Sequence, residues 1–196
     1  EVVTVDQNGT IKAVSEGTAT VKVTAHNGIS AECSVKSAYS GEPKTPEQLE
    51  QALSSKMLTH ITYSSDSADQ IVIPSGDYSD KTLEINAPKA EVNNSGQFKK
   101  VVINAIAENT YTENANNLIY FNAKKGRVIV EESAAATINL DSSDNQNFHL
   151  ENKGCVNDLY VSGKVILRLE GSQAIPVTLA AGAQDTSIVT SAELRI

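Results

Sequence analysis

The chain has 196 residues, 40% of them hydrophobic, with a formal net charge of -8. Its apolar content is too high for a disordered chain, and its length suits one domain or two small ones. The acidic balance, with no Lys/Arg-rich segment, excludes nucleic-acid binding through phosphate contacts.

No apolar run reaches the length of a membrane span. The N-terminus has no charged and apolar leader, so an exported chain is expected to have had its leader removed or left out. The absence of Trp, a single Met and a lean towards Thr, Ser, Asn, Ala and Val predict short strands and turns, a mainly β fold.

Four short strands are expected in the first 36 residues. Asn8-Gly9 suits a tight hairpin turn needing positive φ, with Val3, Val5, Ile11 and Val14 as the residues the hairpin would bury. After Gly17 the odd positions Ala19, Val21, Val23 and Ala25 alternate with Thr20, Lys22 and Thr24. Beyond His26-Asn27-Gly28, Ile29, Ala31, Cys33 and Val35 repeat that alternation, which makes Cys33 a small buried hydrophobe.

The run Val3, Val5, Asp6, Asn8, Gly9, Ile11, Ala13, Val14, Gly17, Thr18, Ala19, Thr20, Val21 resembles the C-terminal half of a group 2 bacterial immunoglobulin-like domain. That resemblance implies an extracellular β-sandwich module of the kind found in adhesins and cell-wall enzymes. It carries no catalytic residues. The family's first strands would precede Glu1, so a partial sandwich over residues 1–37 is expected.

Residues 38–45 read as a linker, with Gly, Pro and Ser and no periodicity. Thr45-Pro46-Glu47-Gln48 then carries an N-cap, Pro at the first helical position and a capping-box Gln. Leu49, Ala52 and Leu53 line one face of a short helix ending near Ser54, read as a lid over a β structure. Strands follow at Ile61 to Tyr63, Ile71 to Ile73 and Thr82 to Ile85.

A capping helix followed by Ile73-Pro74-Ser75-Gly76-Asp77-Tyr78 resembles the opening of pectate-lyase-type right-handed parallel β-helices. The pairs Asn86-Ala87, Asn104-Ala105 and Asn122-Ala123 recur at a spacing of 18, since 104 − 86 and 122 − 104 are equal. A fixed period with one strand-turn signature is how a solenoid is written in sequence, and Asn at successive corners suggests an amide ladder. Residues 46–196 are therefore expected to form a capped β-helix, with a second β-sandwich as the alternative because the period loosens after Ala123.

No catalytic, cofactor or metal residue is assigned. Asp141-Ser142-Ser143-Asp144 is the best acidic cluster, yet it reads as a solvated turn, and Asp141, Asp144 and Asn145 lack the Gly and Glu of a calcium loop. Lys99-Lys100 and Lys124-Lys125, the basic pairs of a lyase reading, are placed at strand edges where charge deters aggregation. His26, His60 and His149 are isolated, with His149 expected on an outer face. Cys155 follows Gly154 without a basic or acidic partner and, 122 positions from Cys33 (155 − 33), is not expected to form a disulfide with it. Tyr39, Tyr63, Tyr78, Tyr111, Tyr120 and Tyr160 are candidate contact rings, with Tyr160 and Glu84 outward.

The sequence thus favours a non-enzymatic, secreted or cell-surface bacterial module for adhesion, presentation or spacing. Its expected partner is a host or cell-wall glycan or a surface protein, at an unlocated site. The alternative is a polysaccharide lyase or glycoside hydrolase working from a β-helix groove.

Overall fold

The computed structural model describes residues 1–107, 110–141 and 146–195. It is a mainly β structure with one short helix and a β-solenoid of about 7 turns.

At the N-terminus β1 (Val3–Val5) and β2 (Ile11–Ala13) form one antiparallel ribbon, β3 (Gly17–Thr24) and β4 (Ser30–Ser37) another. The first turn is set by Asp6, whose Oδ1 accepts from Asn8 N at 2.9 Å and Thr10 N at 2.8 Å, and by Gly9 at φ +80°. The expected strands are present. Their expected burial is not: Val5, Ile11 and Val14 are 46%, 43% and 53% exposed, because no second sheet covers the apolar face of either ribbon among the described residues. Cys33 is exposed for the same reason, which corrects its reading as a buried hydrophobe.

The segment before the helix lies against the solenoid. Gly41 O accepts from Thr62 N at 2.8 Å and Pro43 O from Ser64 N at 3.1 Å. The helix α1 (Pro46–Ser54) begins as its capping residues dictate, with Thr45 Oγ1 accepting from Gln48 N, and it buries Leu49, Ala52 and Leu53. Gln48 Oε1 accepts from Lys44 N and not from the cap's own amide, a variation on the capping box.

The coils run through two parallel faces. On the first, the start of β6 (Ile71–Ala87) and of β7 (Val92–Ile106) pair in turn with β8 (Tyr111–Glu113), β10 (Lys125–Val130), β12 (Gln146–Asn152), β14 (Val165–Gly171) and β16 (Ser187–Thr190). On the second, β5 (His60–Ser64) pairs with the end of β6, then β7, β9 (Asn116–Phe121), β11 (Ala135–Leu140), β13 (Cys155–Val161), β15 (Ile175–Leu179) and β17 (Leu194–Arg195). Every one of these pairings is parallel, which displaces the alternative of a second sandwich.

Identical rungs stack like on like. Ile61, Leu83, Val101, Ile119, Ile138, Leu159 and Val177 form one continuous inward row across the second face, all buried. Phe148, Leu167 and Ile188 form another on the first. Such burial stabilises by about 1.5–3 kcal/mol per large side chain, and each coil obtains it only from its neighbours. The period of 18 is real where it was read, since Ile85, Ile103 and Phe121 are in register, but coils elsewhere span 17 (Tyr111 to Val128) to 22 (Val128 to Leu150) residues. The strands expected at Ile71 to Ile73 and Thr82 to Ile85 are two parts of β6, which continues through Pro74-Ser75-Gly76 by irregular pairing with β7.

Candidate functional site

The residues on which enzyme chemistry would rest are dispersed. Lys99 lies within the long strand β7, near its corner, and Lys124 in the connection between β9 and β10 after the second face. The lysine pair 99–100 thus lies within β7 and not at its end, with Lys100 opposite Thr82 and Lys99 where the register with β6 shifts, and Lys100 Nζ sits 4.9 Å from the centroid of the Tyr120 ring. Asp141 Oδ1 accepts from Ser162 Oγ of the next coil at 2.7 Å, while Ser142, Ser143, Asp144 and Asn145 lie outside the described residues. Among the described residues no three His, Cys, Asp or Glu side chains are grouped to hold a metal ion. Cys33 and Cys155 are free and exposed.

His149 is on the outer face, as its position between Phe148 and Leu150 requires, and it belongs to a lattice of charge. Arg127, His149 and Arg168 share one row of the first face, and Glu151 and Glu170 the next but one along each strand. Arg127 pairs with Glu151, Arg168 Nη2 lies 2.6 Å from Glu170, and His149 Nε2 lies 3.2 Å from Glu170. Lys153 bridges Glu131 at 3.0 Å and Glu151 at 3.5 Å. Burial holds the His149 imidazole below its ordinary pKa despite Glu170. The lattice neutralises itself across rungs, a structural use of these charges.

On the second face Glu84 points outward as expected and anchors the amide ladder. Asn122 Nδ2 donates to Asn104 Oδ1 at 3.0 Å, Asn104 Nδ2 to Glu84 Oε1 at 2.5 Å, and His60 Nε2 lies 3.4 Å from Glu84. Asn86 is not in the ladder, since the pairing slips by one residue after Ile85 and sets Asn86 opposite Ala105. Tyr160 is outward and exposed. Tyr63 and Tyr111, read as contact rings, are buried at 2% and 0%: both face into the solenoid, Tyr63 opposite Ile85 and Tyr111 opposite Val92 and Val128. Tyr78 stacks on Phe98 at 5.0 Å, partly buried.

The most built polar structure lies at the corner between the faces, in the first coils. Glu113, fully buried, accepts from Ala115 N at 2.9 Å, Asn117 Nδ2 at 3.0 Å, Asn94 Nδ2 at 3.0 Å and Tyr111 Oη at 2.9 Å. Asn94 Oδ1 in turn accepts from Gly96 N at 3.0 Å, and Gly96 O accepts from Asn94 Nδ2 and Asn117 Nδ2. Burial raises the Glu113 carboxyl above its ordinary pKa and the donors pull it back. At Gly76 and Gly96 an added Cβ would lie 2.7 Å from atoms of the Tyr78 side chain, so any larger residue displaces that ring.

This network fixes the backbone of two adjacent corners, 94–98 and 113–117. Their outward side chains, with those of the coils on either side, line a polar groove of about 470 Å³ that includes Ser75, Asp77, Ser95, Gln97, Asn116 and Ser133. Sequence reasoning passed over it. Glu113 and Asn94 were legible as polar residues at inward positions of alternating strands, a conflict that marks a buried network, but their partners are 19 residues apart and depend on the coil register.

The model of the bacterial Ig-like domain (group 2) family matches residues 1–35, so the ribbon segment is similar to that family. No curated protein and no solved structure matches the chain. No helix among the described residues is long and apolar enough to cross a membrane.

Proposed function

We propose that the chain is a non-enzymatic module of a bacterial surface or secreted protein, serving adhesion, presentation or spacing. The observation that carries this reading is the solenoid itself: about 7 turns whose inner rows are continuous and whose outer charges on the first face pair with one another across rungs, Arg127 with Glu151, His149 with Glu170 and Lys153 with Glu131. A stack of this kind resists bending, because each coil is held to its neighbours by a full parallel ladder and by shared apolar rows. The similarity of residues 1–35 to bacterial Ig-like domains supports a surface setting.

The test is a screen of the purified chain against acidic and neutral polysaccharides, with and without calcium, reading binding and new unsaturated or reducing ends. Binding without turnover is the expected outcome. Product above a heat-denatured control overturns the reading and directs mutagenesis to Lys99, Lys124 and Asp141.

A further inference from the structure

We propose that the corner groove beside Gly76 and Gly96 binds a neutral, hydroxyl-rich oligosaccharide. The proposal rests on the surface-module reading and names the ligand class for it. Three observations carry it.

The first is preorganisation. A carboxylate, two amides and a phenol are buried to hold the corner backbone, and a buried polar network is costly compared with an apolar core of the same volume. Other corners are held by a single buried side chain, as where Gln146 Nε2 donates to Phe121 O at 2.8 Å and Ala123 O at 2.7 Å. Here Glu113, Asn94 and Asn117 clamp Gly96 and Ala115, the residues that separate the groove-lining Ser95 from Gln97 and Asn114 from Asn116.

The second is available hydrogen bonding. Among the described residues the side chains of Ser75, Ser95, Gln97 and Ser133 make no hydrogen bond, and Asn116 uses only its Oδ1, accepting from Ala135 N at 2.9 Å. The groove therefore offers hydroxyls and both ends of an amide, which can each donate and accept, as sugar hydroxyls do. It crosses four consecutive coils, about 14 Å at the spacing of paired strands, and its volume is within the ordinary range for a ligand site.

The third is charge. Among the described residues Asp77 is the one ionisable side chain lining the groove, and hydrogen bonds from Ser79 hold its carboxyl below the usual range, so it stays anionic. With no cation in the lining and a net charge of -8, uronates, sulfates and phosphates are repelled. One carboxylate is too few for a calcium site. Without an aromatic ring in the lining, affinity rests on hydrogen bonds exchanged with water, and about millimolar dissociation constants are expected.

The experiment is titration of the full ¹⁵N-labelled chain with cellotetraose, chitotetraose, mannotetraose and laminaritetraose, with tetragalacturonate as the anionic counterpart. At least one neutral probe should shift the side-chain amides of Gln97 and Asn116, and Gln97→Ala with Ser95→Ala should weaken it about tenfold with an unchanged melting midpoint. Tyr160→Ala, on the second face, should leave the affinity as it was. The proposal is overturned if no neutral probe shifts those amides, if tetragalacturonate binds better, or if the double variant binds like the parent. A neutral glycan bound elsewhere overturns the groove while leaving the surface-module reading intact, whereas cleavage of a probe overturns that reading.

Discussion

Replacing Glu113 by Ala removes the acceptor on which the corner converges. Asn94 Nδ2 and Asn117 Nδ2 keep a second acceptor in Gly96 O, at 3.1 and 3.0 Å. Tyr111 Oη and Ala115 N keep none, and Tyr111 is fully buried. An orphaned buried donor costs about 1–3 kcal/mol, and the vacated side chain leaves a cavity, so Glu113→Ala should destabilise by about 3 kcal/mol. Glu113→Gln fills the same volume and retains one acceptor oxygen, so it should cost about 1 kcal/mol. The pH dependence has a definite sign. A carboxyl with a raised folded pKa gives stability that is complete below its ordinary value of 4.5 and is lost as pH climbs through the raised value. Relative to Glu113→Gln, the parent should therefore lose stability as pH rises from about 4.5. Urea midpoints across pH, with hydrogen exchange of amides 94–98 and 113–117 to localise the effect, are the assay. Equal stability of the parent and Glu113→Ala, or a Gln variant as damaged as the Ala variant, would refute the reasoning.

Phe148 meets Phe121 edge to face at 5.0 Å in the solenoid core, and Phe148→Ala should lower stability by about 3–5 kcal/mol in a denaturant titration. Gly171 has φ +142° and an added Cβ would lie 2.0 Å from Asn152 O, so Gly171→Ala should fold poorly and show a clearly lowered melting midpoint. His149 has its pKa lowered by burial; it therefore withdraws stability as pH falls below about 6.5, and His149→Gln should flatten that limb of a pH-stability profile. The ribbons contribute no buried residue, so their amides in residues 3–37 should exchange hydrogen well before those of the solenoid rows; equal protection would contradict this.

What could be read from sequence was whatever is written locally. Asn8-Gly9, Thr45-Pro46 and the alternation of Ala19, Val21 and Val23 each determine structure through neighbours a few residues away, and each element formed. The solenoid was legible through Asn86, Asn104 and Asn122 because two successive coils there happen to share a length. Coils of unequal length then hid the register, and with it the charge rows of Arg127, His149 and Arg168 and the corner built on Glu113. Tyr63 and Tyr111 were misread because strand alternation leaves open which of its two sides faces in, and for a tyrosine either side is chemically acceptable.

The same register explains why polar residues collect where they do. Inward positions of a parallel stack see only the coils above and below, so an apolar side chain always finds a partner there and a polar one finds it only if the adjacent coil supplies the complement. Asn94, Glu113 and Asn117 meet this condition in consecutive coils, and the side chains they free from structural work are those that open outward at Ser95 and Gln97. On the flat outer faces the complement is found sideways, Arg127 with Glu151 and Lys153 with Glu131, which leaves those charges little to offer a ligand. Recognition by this solenoid is therefore to be sought at its corner, where the hydrogen-bonding groups are held in place and not yet used.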